Sequence, residues 1–255
     1  MSLIKSKEEI TLLREGGIHL AEIRNTLVKA VQPGVTTAEL DRLGGELFKK
    51  FGGRSATLNY TPVGAGRPFP AQMCISVNDE VVHGIPTENI YVLEEGDIVS
   101  FDILFLYKKL ITDTAITVPV GTIPKSLKKL LDVTRDALAV GIKASRAGNT
   151  VGDIGHAIET FAKPSGFGIV HELGGHGVGH SVHEEPRVPN IGTSGTGIEL
   201  VPGMVLALEP MLNEGVGDVV LADDGYTIKT ADGKRSAHFE HTIVITEGAP
   251  EILTK

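Results

Sequence analysis

Apolar residues at Ile10, Leu13, Leu20, Ile23, Leu27 and Val31 return every three or four positions, so Lys7 to Val31 reads as an amphipathic helix ended near Pro33-Gly34. Thr36 and Glu39 have the spacing of a capping box, which predicts a second helix running to about Lys50. A later stripe, Leu127, Leu130, Leu131, Leu138 and Ile142, predicts a third helix, and Gly148, Thr150, Asp153 and Ile154 open a fourth with the same offsets as Gly34, Thr36, Glu39 and Leu40. A second echo lies in the strands. Gly96 to Asp102 and Gly203 to Glu209 are apolar runs that each close on a carboxylate six residues after a glycine. Each half then returns with a β-branched strand that carries an acid, Asp113 before Thr114 to Val118 and Glu240 before His241 to Ile245.

A helix-helix-strand plan written twice predicts an α+β fold in a single domain, residues 1–255, with pseudo-twofold halves of about 1–120 and 121–255. The expected architecture is one curved antiparallel sheet with helices on its outer face and the acids on its inner face. Composition agrees with a globular chain, 41% hydrophobic and 22% charged. The net charge of -8, from 24 basic and 32 acidic residues, argues against a nucleic-acid partner or an anionic membrane surface, which would need clustered Lys and Arg. No apolar stretch reaches the ~18 residues of a membrane span, because Asp102, Lys108 and Lys109 interrupt the most hydrophobic segment, Ile98 to Ile111. The opening residues lack the regions of a signal peptide, and a single cysteine, Cys74, forms no internal disulfide; a cytoplasmic location is expected.

The acids carry the chemical argument. A carboxylate in an apolar strand is costly unless something neutralises it. If Asp102, Asp113, Glu209 and Glu240 converge, they stay ionised together only beside cations, and two divalent metals would cancel their charge. The histidine best suited to join them is His176, flanked by glycines that allow close backbone approach. A zincin reading of His171 to His176 fails, because the two histidines are five apart and the paired glycines disfavour a helix. Oxygen-rich ligation with one nitrogen suits Mn(II), Fe(II) or Co(II) better than a sulfur-rich zinc site would. The remaining histidines, His19, His156, His171, His180, His238 and His241, read as surface or satisfied core groups.

In their order and spacing, His83-Gly84-Ile85-Pro86, Gly96 to Asp102, Thr112-Asp113-Thr114, Gly175-His176-Gly177-Val178-Gly179, His183-Glu184-Glu185-Pro186, Glu209-Pro210 and Glu240-His241-Thr242 resemble the type I methionine aminopeptidases. The resemblance covers nearly the whole chain and includes the interval of 11 residues from Asp102 to Asp113. It implies the pita-bread fold and two divalent metals, drawn from Co, Mn, Fe, Zn or Ni, held by Asp102, Asp113, His176, Glu209 and Glu240. It also implies that a hydroxide bridging those metals attacks the scissile carbonyl, with Glu209 shuttling the proton. His183 would stabilise the carbonyl oxygen and His83 would sit by the scissile nitrogen.

The same resemblance points to a methionine pocket lined by Phe69, Cys74 and Tyr226. The chain departs from the family pattern at Gly66-Arg67-Pro68-Phe69, where an aromatic and a histidine are common, and at Tyr226, where tryptophan is expected. The implied partners are peptide or nascent-chain N-termini, with transient contact to the ribosome, for a chain acting as a monomer. Two other functions use the same residues: an Xaa-Pro peptidase, which usually carries a further N-terminal domain, and a non-catalytic binding module, which should have lost a ligand. Intervals of 26 and 31 residues, from His183 to Glu209 and on to Glu240, leave little room for the helical insertion of type II relatives.

Overall fold

The structure, a computed structural model, describes residues 3–62 and 64–255; Met1, Ser2 and Val63 lie outside the described residues. The first helix, α1, spans Lys7–Ala30, and Val31 is its cap. Its start is fixed by a capping box the spacing analysis did not single out, in which Ser6 accepts from the Glu9 N–H and Glu9 accepts from the Ser6 N–H. Helix α2, Thr37–Lys50, and helix α4, Val151–Ala162, begin with the anticipated Thr36/Glu39 box and a Thr150/Asp153 equivalent. Helix α3, Lys125–Ala144, carries the second apolar stripe. Burying Leu13, Leu20, Ile23 and Leu27 of α1, each fully inaccessible, contributes roughly 1.5–3 kcal/mol per side chain.

The expected single sheet is built as two ladders. The Ile98–Tyr107 strand pairs antiparallel with Leu110–Pro119 on one side and with Cys74–Val77 and Arg54–Ser55 on the other. The second ladder runs in the order Glu251–Ile252, His241–Val244, Val205–Leu208, Gly174–Gly177, Glu184–Pro189. The two meet at a seam. Ala115 and Glu240 exchange backbone hydrogen bonds of 3.4 and 2.9 Å, and Thr242 Oγ1 both accepts from the Asp113 N–H and donates to the Asp113 carbonyl. Thr117 Oγ1 likewise accepts from the His238 N–H and donates to the His238 carbonyl. Two small three-stranded sheets flank this core.

The apolar interior follows the halves. One cluster, with Leu20, Leu40, Phe48 and Phe101, lies under α1 and α2; another, with Leu130, Leu138, Ile154 and Leu206, lies under α3 and α4. A third, with Leu13, Leu104, Val205, Val244 and Leu253, joins them across the seam. The acids therefore sit where the two ladders converge.

Candidate metal centre and its pocket

Register explains why the acids meet. Asp102 lies opposite Ala115, and Asp113 is two residues from Ala115 on that same strand, so both carboxylates face one side of the ladder. In the other half Leu208 lies opposite His241, which sets Glu209 and Glu240 at the adjoining ends of their two strands. The Ala115/Glu240 exchange then brings the two pairs together.

His176 enters from the Gly174–Gly177 strand. A Cβ at Gly175 would overlap the Ala207 carbonyl and one at Gly177 the Glu185 carbonyl, so only glycine lets this strand pack against its neighbours on both sides. His176 Nδ1 lies 2.8 Å from the Gly177 carbonyl, an arrangement that makes Nδ1 the donor and leaves the Nε2 lone pair facing the acids. Nε2 is 3.6 Å from Glu209 Oε1, and donor atoms of Asp113, His176 and Glu240 all lie within 4.8 Å of one another.

The electrostatics are those of a cluster that lacks positive charge. Burial lifts the Asp102 carboxyl to about 7; burial and the neighbouring Asp102 lift Glu209 to about 8. Asp113 and Glu240 are raised well above the ordinary range, first by burial and then by the adjacent carboxylates. Asp113 Oδ1 and Glu240 Oε1 are buried without a hydrogen-bond partner. Orphaned oxygens, mutual repulsion and a nitrogen lone pair aimed inward fit a centre for hard or borderline divalent cations.

All ten residues singled out from the sequence as metal-binding, catalytic or pocket-lining border one cavity of about 110 Å³: Asp102, Asp113, His176, Glu209, Glu240, His83, His183, Phe69, Cys74 and Tyr226. Phe69, Ala71, Cys74, Ile85 and Tyr226 form its apolar end. Phe69 and Tyr226 meet edge-to-face at 5.2 Å, and the Tyr226 hydroxyl donates to the Arg67 carbonyl. Arg67 is not part of the lining. Its guanidinium is held by both Glu88 oxygens and stands 5.8 Å from the Tyr226 ring centroid, bracing the ring from outside. The Cys74 thiol, pushed well up by burial and then by the nearby acids, is a neutral apolar contact.

At the polar end, His83 occupies a left-handed backbone conformation, φ +60°, at a cost of about 1–2 kcal/mol for a non-glycine residue. Burial holds its imidazole near 4, and that of His176 near 4 as well, so both rings are neutral at pH 7. His83, His176, His183 and Glu209 also border a second cavity of about 220 Å³, on whose far side lie Glu172, Leu173 and Arg187. They form the partition between two chambers.

Two neighbours of this partition were missed in the sequence. The Tyr60 hydroxyl lies 3.1 Å from His183 Nδ1, a contact across 123 positions that no local pattern announces. His238 is completely buried, neither of its ring nitrogens has a partner, and its Nε2 is 3.6 Å from Glu209 Oε2. Its signal was present: His238 stands two residues before Glu240, the spacing that puts two side chains of an extended chain on one face. The other histidines serve elsewhere: His19 packs against Phe51 and Tyr107, His180 binds Glu9, and His241 Nδ1 contacts Thr254.

Residues 11–247 match the model of metallopeptidase family M24. The chain is 43% identical over 254 residues to a methionine aminopeptidase of Clostridium perfringens, covering 100% of this chain and 99% of that one. A methionine aminopeptidase crystal structure from Thermotoga maritima superposes with a TM-score of 0.94 at 42% identity, covering 99% of this chain and 98% of the other. A prolidase from Pyrococcus furiosus shares the fold at a TM-score of 0.78 and 22% identity, and this chain spans 65% of its length.

Proposed function

The chain belongs to metallopeptidase family M24, and we propose that it acts as a type I methionine aminopeptidase of pita-bread fold, removing the N-terminal methionine from peptides and nascent proteins with a small second residue. The observation that carries this reading is the cavity of about 110 Å³, apolar at one end and lined with acids and imidazoles at the other, which matches one unbranched side chain attached to a reacting carbonyl. In this reading residues 1–255 form one catalytic domain in two halves, each supplying two of the acids.

Asp102, Asp113, His176, Glu209 and Glu240 would hold two divalent ions, whose combined charge balances the four carboxylates. When bound, such ions acidify water and polarise a carbonyl. The remaining work belongs to side chains of the chain itself. Phe69, Cys74 and Tyr226 receive the methionine side chain through apolar and thioether-aromatic contact. The substrate's remainder leaves through the larger chamber, which places the scissile bond at the partition.

There His183, held by the Tyr60 hydroxyl, donates to the carbonyl oxygen as negative charge gathers on it. His83 faces the scissile nitrogen from its fixed backbone turn. Glu209, which borders both chambers, takes a proton from the attacking water on a carboxylate oxygen and passes it to the leaving amine. No helix among the described residues is long and apolar enough to cross a membrane; action on peptide and nascent-chain ends in the cytoplasm, as a monomer in transient contact with the ribosome, belongs to the same proposal.

The test is release of free methionine from Met-Ala-Ser and of free alanine from Ala-Pro-Ala by metal-stripped protein reloaded with Mn(II) or Co(II). Methionine release that needs metal, and drops at least a hundredfold in Glu209→Gln, is expected. Cleavage of the proline peptide alone would assign the site to Xaa-Pro substrates instead.

A further inference from the structure

The two aromatic walls of the apolar pocket come from separate segments, and their main chains are fixed independently. Phe69 accepts from the Asn59 N–H and donates to the Tyr60 carbonyl, each at 2.9 Å. The turn that carries Tyr226 is held by Asp224, which accepts from the Tyr226 and Thr227 N–H groups and from the Thr227 hydroxyl. What remains to be set is the Tyr226 ring. It meets Phe69 edge-to-face at 5.2 Å, its hydroxyl donates to the Arg67 carbonyl, and the Arg67 guanidinium stands 5.8 Å from its centroid.

Arg67 is in turn anchored away from the pocket. Nη1 and Nη2 donate to the two Glu88 oxygens at 2.5 and 2.6 Å, and Nη2 also donates to the Asp224 carbonyl at 3.1 Å. A guanidinium fork on a carboxylate fixes orientation as well as position, which a point-charge ammonium does not. Asn89, next to Glu88, donates to Asp224 Oδ2 at 3.0 Å, so the Glu88 segment and the Tyr226 turn are one unit. Gly64 and Gly66 have nothing within 4 Å of where a Cβ would stand, so the approach to Arg67 gains no packing support at those positions. Neither Arg67 nor Glu88 borders the cavity, and at 39% and 40% side-chain exposure their pair adds little to stability.

We propose that Arg67, latched to Glu88, is a specificity-determining residue that holds the Tyr226 ring against Phe69 and so keeps the pocket too narrow for a γ-branched side chain such as leucine. The assignment rests on the methionine aminopeptidase reading and adds to it a pair of residues outside the cavity. An unbranched thioether chain fits between the two rings as they stand. A branched chain needs them further apart, and moving the Tyr226 ring breaks its hydroxyl bond and its contact with the guanidinium. Once the latch is released, Arg67 shifts with the ring and the wider pocket costs less. An apolar wall discriminates by size only as far as it resists that movement.

The test compares kcat/KM on Met-Ala-Ser and Leu-Ala-Ser for the metal-loaded enzyme, Arg67→Met, Glu88→Gln and the double variant. The preference for methionine should fall about tenfold in each single variant and no further in the double, since both substitutions open one latch. The fall should come from a gain on the leucine peptide, with kcat on Met-Ala-Ser little changed, and Arg67→Lys should lie in between. In protein carrying isotope-labelled tyrosine, the Tyr226 ring signal, assigned with Tyr226→Phe, should move in both single variants, which reads the latch without catalysis. Unchanged preference in Glu88→Gln, an equal loss on both peptides, additive effects in the double variant, or an unmoved Tyr226 signal would each overturn the proposal while leaving the peptidase reading intact. A wild-type enzyme inert to both peptides overturns the peptidase reading, and the specificity assignment with it, even where the Tyr226 signal moves.

Discussion

At the scale of single residues, the sharpest anomaly inside the catalytic wall is His238. Its ring is buried and flanks Glu209 at 3.6 Å, and neither ring nitrogen has a hydrogen-bond partner. Burial drives the imidazole down to about 3, so it is neutral in use and offers one N–H. On the proposed reading, in which Glu209 binds a cation and moves a proton, a donor beside it would bias which oxygen does which. His238→Leu is expected to lower kcat/KM about tenfold, and His238→Gln, which retains a donor, to restore most of it; steady-state kinetics on Met-Ala-Ser with a matched circular-dichroism spectrum checks both. The same scale shows what a sequence can disclose. Asp102, Asp113, His176, Glu209 and Glu240 were legible because strand ends and glycine spacing are local marks. Tyr60 was not, since it reaches His183 only through the folded path of the intervening chain.

Among the elements, the approach to α1 does more than begin a helix. Lys5 Nζ and Glu184 form a buried pair at 2.6 Å, their side chains 1% and 7% exposed. Glu184 also accepts from the His180 and Ser181 N–H groups, and Glu9 of the capping box reaches His180. The first turn of α1 thus clamps the loop that carries His183. Removing one partner of a buried pair strands the other, so Lys5→Met should lower the unfolding free energy by about 3 kcal/mol, read by urea denaturation.

Acid should loosen the same clamp. The His180 contact and the Ser6 N–H hold the Glu9 carboxyl below its usual value. Burial alone would raise Glu184, but Lys5 and two backbone N–H groups outweigh it and lower the carboxyl overall. Groups lowered in the folded state give stability that is present above the ordinary carboxyl value of about 4.3 and is lost as pH falls through the folded values. Melting temperature should therefore fall between pH 5 and pH 3, and fall less steeply in Glu9→Gln. The Thr36/Glu39 capping box was visible in the sequence because a box is a four-residue pattern; the clamp was not, because its partners are 179 positions apart.

For the whole molecule, the halves are joined by few backbone bonds and by a shared cluster of acids that repel one another without cations. Bound metal should then tie the halves together. Stripping the metal is expected to lower the melting temperature, and back-titration to restore it in proportion to the logarithm of free metal, by about 2.7 kcal/mol at a hundredfold excess over Kd. The duplicated plan was legible from the echo of Gly96 to Asp102 in Gly203 to Glu209. The division into two ladders was not, since it is set by pairings between residues far apart in the chain, Ala115 with Glu240 among them.

The stitching of early residues to late ones also sets a timetable for synthesis. Lys5 bonds the Gly203 carbonyl, Arg14 pairs with Glu251, and Gly17 lies against the Leu253 carbonyl, leaving no space for a Cβ. At roughly 5–20 residues per second, translation of the chain lasts about 13–50 seconds. During the later part of that interval Leu20, Ile23 and Leu27 can pack on residues 40–120, while the Leu13 end of the helix still lacks Val205, Val244 and Leu253. Its final docking therefore waits for residues 203–253, the stretch that also carries Glu209 and Glu240, so the helix end and the cluster of acids are completed together.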